Sequence, residues 1–253
     1  MADNAKKVIR LDYKAYLADE DRLYDTTDEA AAKEANIYNE KVKYTPMAYI
    51  VGSNKLFPAL DKAIAEAKVG EEFTVEVPTE EGAGVRNPKL IEVHPIKEFY
   101  REQINPVVGM TVTLGGRPGI VTAVGAGRVR VDFNNQLAGH DLKYVMKITE
   151  EITEDNAKAA AIVEADFGDA TDFKFAFPGD KVSVTLPEIV KFNQNWTTAR
   201  FRVVSDLREA FGVDTVEFIE IWSAAKKDEA PKDEAPKADA EEKPAEAEEA
   251  KAE

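Results

Sequence analysis

Three short stretches near the start of this 253-residue chain gather aromatic and aliphatic side chains around a single acid. They are Leu23-Tyr24-Asp25-Thr26-Thr27, Pro46 to Gly52, and Leu56-Phe57-Pro58-Ala59-Leu60. They contain no Ser-His-Asp set, phosphate loop or metal-ligand cluster. Such residues do not attack a substrate. They can build a dry, shaped pocket, and rotation about a prolyl peptide bond is a chemistry such a pocket can carry. The barrier to that rotation is amide resonance. As the bond twists, its nitrogen loses conjugation and the amide becomes less dipolar. A low-dielectric cavity that binds the twisted amide better than either planar form lowers the barrier. Aromatic rings suit the task because they are rigid, apolar and edged with few polar groups.

Asp25 is the discriminating residue. An acid at the end of an apolar strand must be hydrogen-bonded or exposed. We expect it to orient a tyrosine hydroxyl and polarise the pocket edge without abstracting a proton. The plainer alternative is a turn acid next to a helix start. Tyr13 and Leu60, taken alone, read equally well as ordinary core.

These residues need elements to hold them. Val8, Ile9, Leu11, Tyr13, Ala15 and Leu17 fall mostly on alternate positions and predict a strand over 7–17. Asp19-Glu20-Asp21 predicts a turn. Thr26 with Glu29 forms a capping box for an alanine-rich helix over 27–37. A strand is expected from Tyr44 to Val51. A helix over about 57–67 carries Leu60, Ile64 and Ala67 at helical spacing and stops at Gly70. Phe73, Val75 and Val77 alternate as a further strand. Glu80 to Gly84 is a loop, and 95–104 is helical or irregular. Three short strands at about 110–114, 119–124 and 127–133 are separated by glycine-rich turns, which suggests a small antiparallel sheet. Arg128 and Arg130 alternate with valine there, the pattern of a strand with one wet face. Asp141 to Thr149 returns to strand, with Leu142, Tyr144, Met146 and Ile148 on one side. Beyond it come a helix from Thr153 to Phe167, strands at 173–177 and 181–186, a helix over about 195–211, and a last strand from Thr215 to Trp222. Glu164, Asp166 and Asp169 are expected to be wet.

Bulk properties exclude several functions. Net charge is −15 and pI about 4.8, a field that repels nucleic acid. No apolar run reaches the roughly eighteen residues of a membrane helix. No apolar stretch follows Lys6-Lys7, so no signal peptide is expected. Cysteine is absent, which rules out disulfides and thiolate chemistry and fits a cytoplasmic protein. His94 and His140 are too few and too far apart in sequence to suggest a metal site, so no metal and no cofactor is expected. Residues 226–253 use only Ala, Asp, Glu, Lys and Pro and predict a disordered acidic tail.

Tyr13, Leu23-Tyr24-Asp25, Pro46 to Gly52, Leu56 to Leu60 and Lys68-Val69-Gly70-Glu71 resemble the core of the FKBP-type peptidyl-prolyl cis-trans isomerases. The segment Val129 to Leu142, containing Asn134-Asn135-Gln136-Leu137-Ala138-Gly139-His140, is similar to the return from the inserted flap domain in the SlyD-like branch. With a further domain after that segment, the chain is similar to the long archaeal members. The resemblance implies an α+β fold: an antiparallel half-barrel wrapping a helix (1–87 and 136–152), a small β-rich insert with chaperone function (88–135), and a separate C-terminal α+β domain (153–225) before the tail.

By the same resemblance, Tyr13 and Tyr24 match aromatic walls and Asp25 the pocket carboxylate. Met47 stands where many members have phenylalanine. Leu56 and Phe57 match the pocket edge whose backbone grips the peptide. Leu60 matches the floor and Tyr144 an aromatic on the returning strand. Leu137, Ala138 and His140 belong to the return segment beside the pocket. Ala83 replaces a tyrosine whose hydroxyl usually binds a substrate carbonyl. The implied partners are unfolded, proline-containing polypeptides, with a homodimer through the C-terminal domain as a further expectation. The competing reading is a noncatalytic chaperone that keeps the fold.

Overall fold

The computed structural model describes residues 5–222, so the expected acidic tail lies outside the described residues. In chain order the elements are β1 (Val8–Leu17), β2 (Arg22–Thr26), α1 (Glu29–Glu34), β3 (Met47–Ile50), α2 (Pro58–Glu66), β4 (Glu72–Val77), β5 (Ile91–Pro95), α3 (Ile96–Arg101), β6 (Thr111–Leu114), β7 (Arg117–Gly125), β8 (Arg128–Asp132), β9 (Leu142–Ile152), α4 (Asp155–Phe167), β10 (Lys174–Ala176), β11 (Lys181–Leu186), α5 (Gln194–Phe211) and β12 (Thr215–Glu220). This is an α+β fold with three sheets.

The first sheet is antiparallel and centred on β1. Along one edge β1 pairs with β9 over its full length, Val8 opposite Ile152 and Leu17 opposite Leu142. Its other edge is shared. β3 pairs with Val8 to Leu11, and β2 with Lys14 to Leu17. Asp12 and Tyr13 fall in the gap between those partners. There the chain closes the ladder locally: Tyr13 N–H donates to Thr27 Oγ1 at 3.0 Å, and Thr27 N–H donates to Tyr13 O at 3.1 Å. Helix α2 lies against the sheet, burying Leu60 and Ile64 among Leu11, Leu17, Leu142, Met146 and Ile148. Each such side chain contributes roughly 1.5–3 kcal/mol on leaving water. The Tyr49 hydroxyl donates to buried Asp61 and pins α2 to β3.

The second sheet has the order β5-β8-β7-β6 and a small core of Phe99, Val112, Leu114, Val121, Val129 and Val131. Its alternation is as expected, with Arg128 and Arg130 out and Val129 and Val131 in. Strand β5 was not anticipated. Its apolar residues Ile91 and Val93 face outward, and Pro88 and Pro95 flank it, so its pattern does not read as a buried strand. Gly119 permits the close approach of β7 to β8, since a Cβ there would sit 2.7 Å from Val131 Cγ1.

The third sheet joins β10 and β11 antiparallel and β11 and β12 parallel, with α5 as the crossover. Helix α5 ends at Gly212 in the left-handed conformation (φ 64°), the stop expected of that glycine. This lobe packs directly against the first sheet. Its core, including Trp196, Val203 and Leu207, is continuous with Val8, Ile50 and Ile152 of the first sheet, and everything up to Ile221 forms one compact unit.

Two helix starts differ from expectation. Helix α1 is capped by Asp28, which accepts from Ala30 and Ala31, while Thr26 is the buried end of β2. Helix α4 is capped by Glu154, which accepts from Ala157, in place of Thr153. In both cases the side chain one to two residues nearer the helix is the one that reaches its free amides. Helix α1 is also shorter than the expected 27–37, and β3 is shorter than 44–51, because residues 44–46 pair with no strand. Among the described residues, no helix is long and apolar enough to cross a membrane.

Candidate functional site

The gap in the β1 ladder places Tyr13 where the sheet opens. Its hydroxyl donates to Asp25 Oδ2 at 2.9 Å, and Asp25 Oδ1 accepts from Thr26 N–H at 2.9 Å. Asp25 reaches this position because β2 pairs with β1 across a bulge at Ala15/Tyr16. One residue earlier, Tyr24 meets Tyr144 of β9. Their hydroxyl oxygens are 2.5 Å apart and their rings pack edge-on with centroids at 6.3 Å. Phe57, the residue that opens α2, sets its ring 6.4 Å from Tyr144 on the other side. Leu60, one turn into α2, lies beneath as part of the buried core. Four separate segments therefore converge on one aromatic cradle.

The hydroxyls of the cradle stay protonated. Burial, then the Asp25 carboxylate, holds the Tyr13 hydroxyl far above the ordinary tyrosine range. Burial, then the hydrogen bond with Tyr144, does the same for Tyr24. Burial also raises Tyr144. The Tyr24–Tyr144 contact uses one proton of two, so whichever hydroxyl donates, the other keeps an O–H for an incoming acceptor.

Met47 and Leu56, together with Tyr13, line a cavity of about 520 Å³. Its far wall comes from α4 and α5, through Ala161, Ile162, Asp166 and Asp206. The sequence predicts both helices, but the pocket residues implied by the resemblance include none from them. Asp166 corrects a further expectation. Its side chain is only 10 % exposed, and its Oδ2 is buried with no hydrogen-bond partner. Burial, then neighbouring Asp206, pushes its pKa up to about 6. The sequence of α4 does not show this, because burial there is set by packing against α5.

The remaining candidates lie around the cradle and outside its ring contacts. Ala83 sits half-buried in the turn after β4, and that turn is fastened where Gly139 N–H donates to Gly84 O at 2.8 Å. Leu137 packs on the first core and Ala138 is buried. His140 Nδ1 lies 2.8 Å from Asp19 Oδ2. With Glu20 these three offer ligand-capable atoms within 4.8 Å of one another, a grouping that distance in sequence concealed. Asp19 and Glu20 are exposed there, and the hydrogen bond accounts for the approach of His140.

Three family models match consecutive parts of the chain. FKBP-type peptidyl-prolyl cis-trans isomerase matches residues 2–99, the FKBP26 IF domain residues 90–137, and FKBP26_C-terminal residues 155–223. Among curated proteins, the short-type peptidyl-prolyl cis-trans isomerase of Methanocaldococcus jannaschii is 34 % identical over 56 % of this chain and 89 % of its own length. The SlyD isomerases of Haemophilus influenzae and Pasteurella multocida are 31 % and 32 % identical over 41 % and 43 % of this chain. The chain spans only 56 % and 57 % of the length of those two SlyD proteins. Aromatic cradle, sheet topology and sequence likeness agree: the chain belongs to the FKBP-type peptidyl-prolyl cis-trans isomerase family, with additional IF and C-terminal regions.

Proposed function

We propose that this chain catalyses cis–trans rotation of X–Pro bonds in unfolded or refolding polypeptides, in the manner of the SlyD-like members with an inserted flap. The observation that carries the reading is the convergence of Tyr13–Asp25, Tyr24–Tyr144 and Phe57 above Leu60. The proline ring enters between the rings, and the preceding carbonyl turns while the imide nitrogen loses conjugation. The dry walls favour the less dipolar twisted amide. The proton left over on the Tyr24–Tyr144 pair is a donor for a substrate carbonyl, a role that the methyl of Ala83 cannot take. Asp25 keeps the Tyr13 hydroxyl oriented and moves no proton. No cofactor is needed, because no bond is made or broken.

The proposed division of labour follows the residue ranges 1–87 with 136–152 for catalysis, 88–135 for chain capture and 153–225 for the C-terminal lobe. Capture is supported by Tyr100, Val107, Val108 and Met110, apolar side chains exposed on the second lobe. Holding a nonnative segment there raises its concentration at the cradle. Ile189 and Phe201, exposed on the third lobe, support a homodimer through that surface. The noncatalytic chaperone is the second reading. It is favoured by Ala83 and by the same exposed residues.

Proline isomerisation of a tetrapeptide and of a refolding protein tests both readings. Turnover of the tetrapeptide by the wild-type chain, lost on replacing Tyr144 and Asp25 together, is the expected result. Suppressed aggregation of the refolding protein with no acceleration of either reaction would leave the chaperone reading alone.

A further inference from the structure

The geometry points to Lys55 and Asp206 as a clasp through which the C-terminal lobe positions the edge of the prolyl pocket, making both positioning residues for the isomerisation. The inference rests on the isomerase reading above. The segment in question, residues 51–57, joins β3 to α2 and ends at Leu56 and Phe57. It has no strand pairing of its own, and two of its residues are left-handed, Gly52 (φ 74°) and Asn54 (φ 54°). Its side-chain tethers run to α5. Lys6 Nζ donates to Gly52 O at 2.5 Å and to Glu209 Oε1 at 2.7 Å. Lys55 Nζ donates to Asp206 Oδ2. Asp206 and Glu209 are three residues apart on α5 and so share a face. One helix of the third lobe thus holds this segment at two points, Lys55 directly and Gly52 through Lys6.

The Lys55 contact differs from an ordinary surface pair. The Asp206 side chain is 10 % exposed, and Asp166 of α4 brings a second carboxyl beside it. Arg202 reaches Asp166 at 3.5 Å and also bonds its carbonyl. Lys55 is the cation bonded to Asp206, so its removal leaves a buried acid next to another acid, an arrangement that is costly to keep. The relief available is movement. The cavity behind the segment is bounded by Leu56 and Met47 on one side and Ala161 and Ile162 on the other, and it leaves space for Leu56 to shift. Phe57 follows directly, and its ring is the cradle wall against Tyr144. A displacement of about 1 Å in a positioning element is enough to cost large factors in rate.

The test uses the full-length chain, a chromogenic tetrapeptide with one X–Pro bond, and the variants Lys55→Met, Lys55→Arg, Asp206→Asn and Lys55→Met/Asp206→Asn. Each neutralising single variant is expected to lower kcat/KM about tenfold, chiefly by raising KM. The double variant should fall no further than the singles, because the two groups act as one unit. Lys55→Arg, which keeps the charge, should stay within about threefold of wild type. A pair that only supports the fold would lower Tm and leave kcat/KM at low temperature unchanged. That result, or losses that multiply in the double variant, would overturn the clasp. Should Asp206→Asn not fold, Lys55→Met carries the test alone, since its side chain is half exposed. A wild-type chain with no turnover overturns the isomerase reading and the clasp with it, whereas active wild type with unaffected variants overturns the clasp only.

Discussion

The first two lobes use apolar side chains in opposite ways. In the first, aromatic residues turn inward over α2 and each polar tip is matched: Tyr13 with Asp25, Tyr24 with Tyr144, Tyr49 with Asp61. In the second, six buried residues hold four strands together while Val93, Tyr100, Val107 and Val108 face water. The contrast teaches that hydrophobic content alone does not mark a catalytic site. A pocket that must discriminate a twisted amide from a flat one needs fixed walls, so its hydroxyls are tied. The second lobe, proposed to capture many sequences, keeps its apolar groups accessible over a small core.

The comparison can be broken at several points. The largest effect should come from Phe99→Ala, which empties the centre of the six-residue core at a cost of about 3–5 kcal/mol. Amide exchange should show the second lobe opening while tetrapeptide turnover stays near wild type. A simultaneous collapse of turnover would mean that the lobes are one cooperative unit. Next is a pH effect confined to the first and third lobes. The pKa of Asp166 is raised to about 6 in the folded chain. Between its unfolded value near 4 and about 6, the folded state binds the proton more tightly, so stability falls as pH rises through that window. Asp166→Asn should remove this slope and gain at most about 3 kcal/mol at neutral pH. Melting curves across pH 4 to 8 measure it, and exchange rates in β6–β8 should show none of it.

Smaller again is Asp25→Ala. We expect turnover on the tetrapeptide to drop roughly 10- to 100-fold, about 1.4–2.7 kcal/mol in barrier, with a smaller loss in folding stability. Equal turnover in a folded Asp25→Ala protein would remove Asp25 from the mechanism. The smallest effect on folding should be Val107→Ser with Val108→Ser, within about 0.5 kcal/mol each because both side chains are exposed. The same pair should nonetheless lose acceleration of a refolding protein far more than of a tetrapeptide. Losses of equal size on the two substrates would place capture elsewhere.

Much of this was legible in the sequence, for identifiable reasons. β8 alternates cleanly, and β1 and β9 do so over most of their length, because a buried face leaves a period-two pattern. Tyr24 and Asp25, Phe57, and Tyr144 lie far apart in sequence and converge in space. Asp25 does accept from a tyrosine hydroxyl, that of Tyr13. What escaped was set by contacts between segments far apart. The burial of Asp166 depends on the packing of α4 against α5. Strand β5 exposes its own apolar residues and borrows its stability from β8. The two misplaced caps were near misses of one or two residues, a distance over which several polar side chains compete for the same amides.

The pairing of β1 with β9 has a consequence for how the chain is made. Strand β1 must wait for residues 142–152 before its long edge is covered. Strands β6 to β8 pair with near neighbours and close as soon as they emerge, since short loops cost little entropy. During synthesis, the lobe proposed to hold other unfolded chains is therefore complete while the lobe proposed to turn their prolines is still open.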